Sequence, residues 1–123
     1  MRYFNFLVIL GMFVLPICAT AVTYYIDISP RENNDLYQMN VNETVTFYAK
    51  GYEKNDEVVL PREIDKVWWD FDKVILTKIS SQAASISLKA LKSGTSKLQA
   101  IGMVNNQNCI KTITILVRSR EQE

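Results

Sequence analysis

The chain has 123 residues, 48% of them hydrophobic and 22% charged, with a formal charge of +1 and no histidine. That length suits one domain, and the near-neutral balance argues against a nucleic acid or an anionic membrane held by bulk attraction. Without histidine, Ser–His and Cys–His nucleophiles and the usual zinc and copper sites fall away together.

Arg2 is the only charge before Asp27. Phe6 to Leu15 forms an apolar run, and Pro16 then breaks any helix, because its ring removes a backbone donor and clashes with the preceding turn. Ala19-Thr20-Ala21 follows, with small residues where a signal peptidase must accept them. Positive start, apolar core, breaker and A-x-A read as a secretory signal over residues 1–21, cut after Ala21. A membrane anchor wants roughly twenty apolar residues, and this run is shorter and interrupted at Pro16 and Thr20. A lipid on Cys18 would have the bulky Ile17 just ahead of it. Cleavage would take away Arg2 and Cys18, leaving acidic and basic residues in balance and Cys109 with no internal partner. Cys109 opens an apolar alternation and is expected to be a small half-buried hydrophobe, with intermolecular pairing as the alternative. Membrane contact is expected only through the signal before cleavage.

The remainder reads as strands. Val22 to Ser29 is rich in β-branched and aromatic residues and stops at Pro30. A polar segment follows, holding a short apolar piece around Leu36 to Val41. Thr44 to Ala49 alternates, with Val45, Phe47 and Ala49 on one face. Gly51 and the charged run Glu53 to Glu57 predict a turn, and Pro61 a loop. Val67, Trp69 and Phe71 then alternate against Lys66, Trp68 and Asp70. Val74 to Ile79, Ile86 to Leu91, Leu98 to Met103 and Ile110 to Val117 complete the set, with turns at Ser93-Gly94 and Asn105 to Asn108. Ala83 to Leu91 could be drawn as a helix, but Ile86, Leu88 and Ala90 alternate with Ser85, Ser87 and Lys89, which favours a strand. About seven short strands at spacings of roughly eight to twelve residues predict a β-sandwich over residues 22–118, followed by a charged tail at 119–123.

The expected core is Val45, Phe47, Val67, Trp69, Phe71, Ile86, Leu88, Leu98, Ala100, Ile113 and Ile115. Of the two neighbouring tryptophans only one can point inward, and the alternation selects Trp69. Trp68 is then left on the outer face or in a cleft at its edge. Trp68, Tyr48 and Tyr52 are the aromatics expected on outer surfaces, where coverage of Trp68 by a loop competes with a binding role.

These pieces resemble the bacterial immunoglobulin-like domain of group 2, the module of intimin- and invasin-like surface proteins. Ile28-Ser29-Pro30 resembles its opening strand and proline exit. Asn42-Glu43-Thr44-Val45-Thr46-Phe47 resembles its second strand, Trp68-Trp69-Asp70-Phe71-Asp72 its tryptophan strand, and Ile79-Ser80 its middle strand. Leu91-Lys92-Ser93-Gly94-Thr95 resembles the glycine-threonine turn before its sixth strand, and Thr112-Ile113-Thr114-Ile115 its closing strand. Asn42 replaces the family's usual glycine, and the tryptophan is doubled. The resemblance implies an all-β immunoglobulin-like sandwich acting as an exported binding or adhesion domain, although fold alone does not transmit function.

Asp70 and Asp72 are the one carboxylate pair worth weighing for acid–base chemistry, since in a strand they share a face; solvated turn carboxylates are the plainer reading. No regular loop of oxygen ligands for calcium and no phosphate-binding glycine loop occurs. The chain is therefore expected to be no enzyme and to need no cofactor or metal. Its partner is expected to be a protein or glycan at the cell surface, and its location secreted, periplasmic or cell-surface. The alternative is a structural subunit assembling through its sheet edges.

Overall fold

Alternation of apolar and polar side chains dominates the chain from Val22 onward, and the computed structural model, which describes residues 22–119, turns it into strands. Nine strands form among the described residues: β1 Val22–Ser29, β2 Leu36–Asn40, β3 Thr44–Asn55, β4 Val58–Arg62, β5 Trp68–Phe71, β6 Leu76–Gln82, β7 Ser85–Ala90, β8 Gly94–Val104 and β9 Gln107–Arg118. A single 3-10 turn, Asn33–Asp35, precedes β2. The expected signal segment with Ala19 and Ala21, and the tail beyond Ser119, lie outside the described residues.

One sheet runs β1-β3-β7-β6, with β4 paired to β3, and the other runs β2-β9-β8-β5. Neighbours are antiparallel except β2, which lies parallel to β9 from Leu36↔Thr114 to Asn40↔Arg118. This order is that of the immunoglobulin-like sandwich, four strands facing the tryptophan strand and the two closing strands. The chain crosses between sheets from β1 to β2 and so closes one side. On the other side the chain passes directly from edge strand β5 to edge strand β6 through the turn Asp72 to Ile75, and the two strands share no ladder.

The strand count exceeds the expected seven because β2 and β4 lie in stretches read as a polar segment and as turn and loop. β3 also runs straight through Gly51 to Asn55, and only Asp56-Glu57 turns. Gly51 is not a turn glycine. A Cβ there would lie 2.9 Å from Val104 Cγ2 and 3.0 Å from the Arg62 carbonyl oxygen, so its smallness lets β4 and β8 approach β3. The Asn105-Asn106 turn is tighter than expected. Both residues have positive φ, 51° and 63°, as a two-residue primed hairpin requires, and Gln107 and Asn108 already belong to β9. Asn42, standing where the resembling family has glycine, adopts φ 76°, a region asparagine tolerates. β6 starts two residues later than expected. The Ile75 and Leu76 N–H groups both donate to the Asp72 carbonyl, 3.2 and 3.0 Å, and hold Lys73 to Ile75 in a turn.

The inner faces meet in one apolar cluster. Phe47, Leu88, Leu98, Ala100 and Ile115 are fully buried, and Val67, Ile86 and Ile113 nearly so. Full burial of a ring such as Phe47 stabilises by about 1.5–3 kcal/mol, and Tyr37 from the opposite sheet meets it edge-on at 5.3 Å. Val45, Trp69 and Phe71 prove half-buried, packed against the cluster from its margins. For Trp69 and Phe71 the cause is position: β5 is an edge strand, so one flank of each ring has no neighbouring strand. Ile26, Ile28, Met39, Leu76, Val104 and Val117 belong to the core without having been expected there. Cys109 is buried, its Sγ 3.5 Å from the carbonyl oxygens of Tyr24 and Gln107.

Candidate functional site

The ladder registers decide where the expected surface aromatics go. β5 pairs with β8 as Trp68↔Ile101 and Trp69↔Ala100, and β8 pairs with β9 as Ile101↔Ile110. Residues directly opposite share a face, so Trp68, Ile101 and Ile110 form one row across three strands on the outside of the second sheet. Trp68 is 56% exposed and Ile110 60%, while Ile101 between them is half-buried. Among the described residues no loop covers Trp68; the Lys66 ammonium lies 5.5 Å from its ring centroid, a cation–π distance. The next row toward the C-terminal end of β5 is Asp70, Gln99 and Thr112, polar throughout. Gln99 Nε2 donates to Thr112 Oγ1 at 3.2 Å there. The apolar row is therefore bounded by polar groups on that side.

Tyr48 and Tyr52 lie elsewhere. Both are on β3, on the outer face of the other sheet, so the structure does not bring them together with Trp68. Tyr48 is exposed. Tyr52 is half-buried and stacks on Tyr25 with ring centroids 5.3 Å apart. Ile101, Ile110 and Lys66 are the members that sequence reasoning missed. Their signal was available on one strand at a time: if Leu98 and Ala100 face inward, Ile101 is an apolar residue facing out.

Asp70 and Asp72 border a shallow depression with Lys97, Gln99 and Thr112. Asp72 falls past the end of β5, where its Oδ1 accepts the Val74 N–H at 2.9 Å and its own N–H donates to Ser96 Oγ at 3.0 Å. The Asp72 carboxylate is thus committed to a turn, in line with the plainer reading of the pair from sequence. Among the described residues no group of three His, Cys, Asp or Glu side chains is placed to hold a metal.

The second feature near Trp68 is the open side of the sandwich. A cleft of about 480 Å³ lies between β5 and β6, with Val67, Trp69 and Phe71 on one wall and Leu76, Lys78 and Ser81 on the other. Trp69 Nε1 is buried and has no hydrogen-bond partner among the described residues.

No family model and no curated protein matches the sequence. Among solved structures it is similar to a chimeric titin Z1Z2 functionalised with a KLER exogenous peptide from decorin. The two are 13% identical over 83% of this chain and 99% of that one, with a TM-score of 0.46. It is also similar to the BIgI domain of the beta protein from S. agalactiae bound to CEACAM1, at 17% identity over 80% of this chain and 99% of that one, with a TM-score of 0.40. These are likenesses of fold. The immunoglobulin-like assignment stands on this chain's own strand order.

Proposed function

We propose that the chain is an exported, non-catalytic module of the bacterial immunoglobulin-like group 2 kind that binds a protein partner through the outer face of β5, β8 and β9. The observation that carries this is the cross-strand row Trp68, Ile101 and Ile110. A rigid aromatic flanked by aliphatic side chains and edged by polar ones has the composition of an interface centre. The aliphatic extension favours a protein over a glycan, because a sugar stacks on an aromatic ring and gains less from two isoleucines.

The signal-like segment at residues 1–21 supports a secreted, periplasmic or cell-surface location. The absence of histidine supports a non-catalytic role. Assembly through sheet edges is the weaker reading. β4 carries Pro61, β6 is bulged between Lys78 and Ser80, and β5 is only four residues long, features that blunt these three edges against their own kind. β1, by contrast, keeps one regular unpaired side over eight residues.

The test is a pull-down from the cell-surface fraction with the wild-type chain, Trp68→Ala, Ile110→Ser and Tyr48→Ala. Species captured by wild type should be lost with the first two and kept with Tyr48→Ala, at unchanged melting temperature. Identical capture by all four would remove this face from consideration.

A further inference from the structure

We infer that the cleft between β5 and β6 is a second recognition site, which takes an extended, acidic segment of a partner polypeptide laid along the free edge of β5. The inference rests on the reading of the domain as a protein-binding module; the cleft adjoins the face assigned above, since Trp68 lines it as well.

The backbone supplies the first part of the argument. β5 and β6 end their sheets, so each has one unpaired side, and an unpaired strand side is a template for another strand. The two edges are not equivalent. β6 is interrupted by the shift between Lys78 and Ser80, whereas β5 runs regularly from Trp68↔Ile101 to Phe71↔Leu98. β5 is the edge that can be extended. Its length is fixed by closures at both ends: the Val67 N–H donates to the Ala83 carbonyl at 3.3 Å, and the Asp72 turn spans to Leu76. A frame that short provides few backbone hydrogen bonds, so side chains entering the cleft must contribute the rest.

The cleft is suited to that. Its volume of about 480 Å³ falls within the range of functional pockets, and Val67, Phe71, Leu76 and Ile86 give it apolar walls. A strand added beside β5 would roof it and direct every second side chain inward.

Charge selects the sequence of that strand. Lys73 and Lys78 line the cleft, and among the described residues no carboxylate does. Neither lysine joins the ion pairs formed among the described residues. The Lys73 ammonium instead lies 5.4 Å from the Phe71 ring centroid, at the cleft wall. Covering two such cations with a neutral strand would desolvate them without compensation. A strand that carries a carboxylate beside apolar residues compensates them and fills the apolar walls together.

Panning a phage-displayed library of random nine-residue peptides on the immobilised full chain tests the inference. The recovered peptides should be enriched in Asp or Glu next to β-branched or aromatic residues. Synthetic copies should bind Lys73→Glu/Lys78→Glu roughly tenfold more weakly, and copies with the carboxylates changed to lysine should recover affinity for that variant, which also certifies that it is folded. Ile110→Ser, which alters only the outer face, should bind them as wild type does. Recovery of no peptide, no acidic enrichment, or equal binding to the charge-reversed chain would each overturn the cleft as the site. Loss with Ile110→Ser but not with the lysine variant would also overturn it, while leaving the proposed function standing.

Discussion

Trp68 and Trp69 are chemically identical and adjacent, and the pleat alone gives them different tasks. Trp68 opposes Ile101 on the outer face, while Trp69 opposes Ala100 over the core. Trp69 is held at the margin of that core with its indole N–H buried and without a partner among the described residues. A buried donor without an acceptor costs about 1–3 kcal/mol, so the ring stabilises the fold by its apolar area in spite of its nitrogen. Trp69→Phe removes the orphan donor along with part of the ring, and the two effects oppose each other. Its unfolding free energy should fall within about 1 kcal/mol of wild type, whereas Trp69→Ala, which leaves a cavity, should lose about 3 kcal/mol. Urea denaturation of both variants measures this. A Phe variant as unstable as the Ala variant would mean that the N–H is in fact engaged.

At the scale of elements, β3 organises the first sheet. Its first half pairs with β7, from Thr44↔Lys89 to Tyr48↔Ser85, and its second half lies between β1 and β4. The hinge between these roles is Gly51, pressed by Val104 and the Arg62 backbone. Gly51→Ala should cost about 1–3 kcal/mol by overpacking, read as a lowered urea midpoint at constant slope. A neutral Gly51→Ala would show that β4 is free to move away. The same residue marks the limit of sequence reading. Alternation and β-branched composition are local signals, enough to find β1, the first half of β3 and β5 to β9, and to assign Trp68 outward. Gly51 and the charges that follow it carry turn composition, and nothing local distinguishes a glycine needed for a turn from one needed for space. β2 is equally quiet in sequence because its partner, β9, lies far along the chain and runs parallel to it. The candidate surfaces were legible only as single members. The row Trp68, Ile101 and Ile110 exists through two ladder registers, and the cleft through two strands of different sheets.

The molecule as a whole is strapped by charge where its sheets meet. Arg31 donates from Nε and Nη2 to both oxygens of Asp27, at 3.0 and 2.9 Å, and its Nε lies 3.6 Å from Asp35. Asp35 in turn receives Lys111 Nζ at 3.2 Å. The chain of contacts thus runs from β1 in one sheet, through the 3-10 turn, to β9 in the other. Burial pushes the Asp27 carboxyl upward, but the hydrogen bonds from Arg31 and from the Ile28 N–H, with the charges of Arg31 and Lys111, outweigh it and hold the group below its ordinary value of 3.8. A carboxyl depressed in the folded state binds protons more readily when the chain unfolds, so stability rises with pH wherever the unfolded chain is protonated. The contribution of Asp27 is therefore complete above about pH 4 and is lost as pH falls through the lower folded value. Asp27→Asn has no proton to bind. It should be less stable than wild type at neutral pH, and the gap should narrow steadily as pH is lowered toward about 3. Urea midpoints of the two chains across that range decide the matter: a gap that stays constant with pH would mean that the Arg31 bridge does not hold Asp27 ionised.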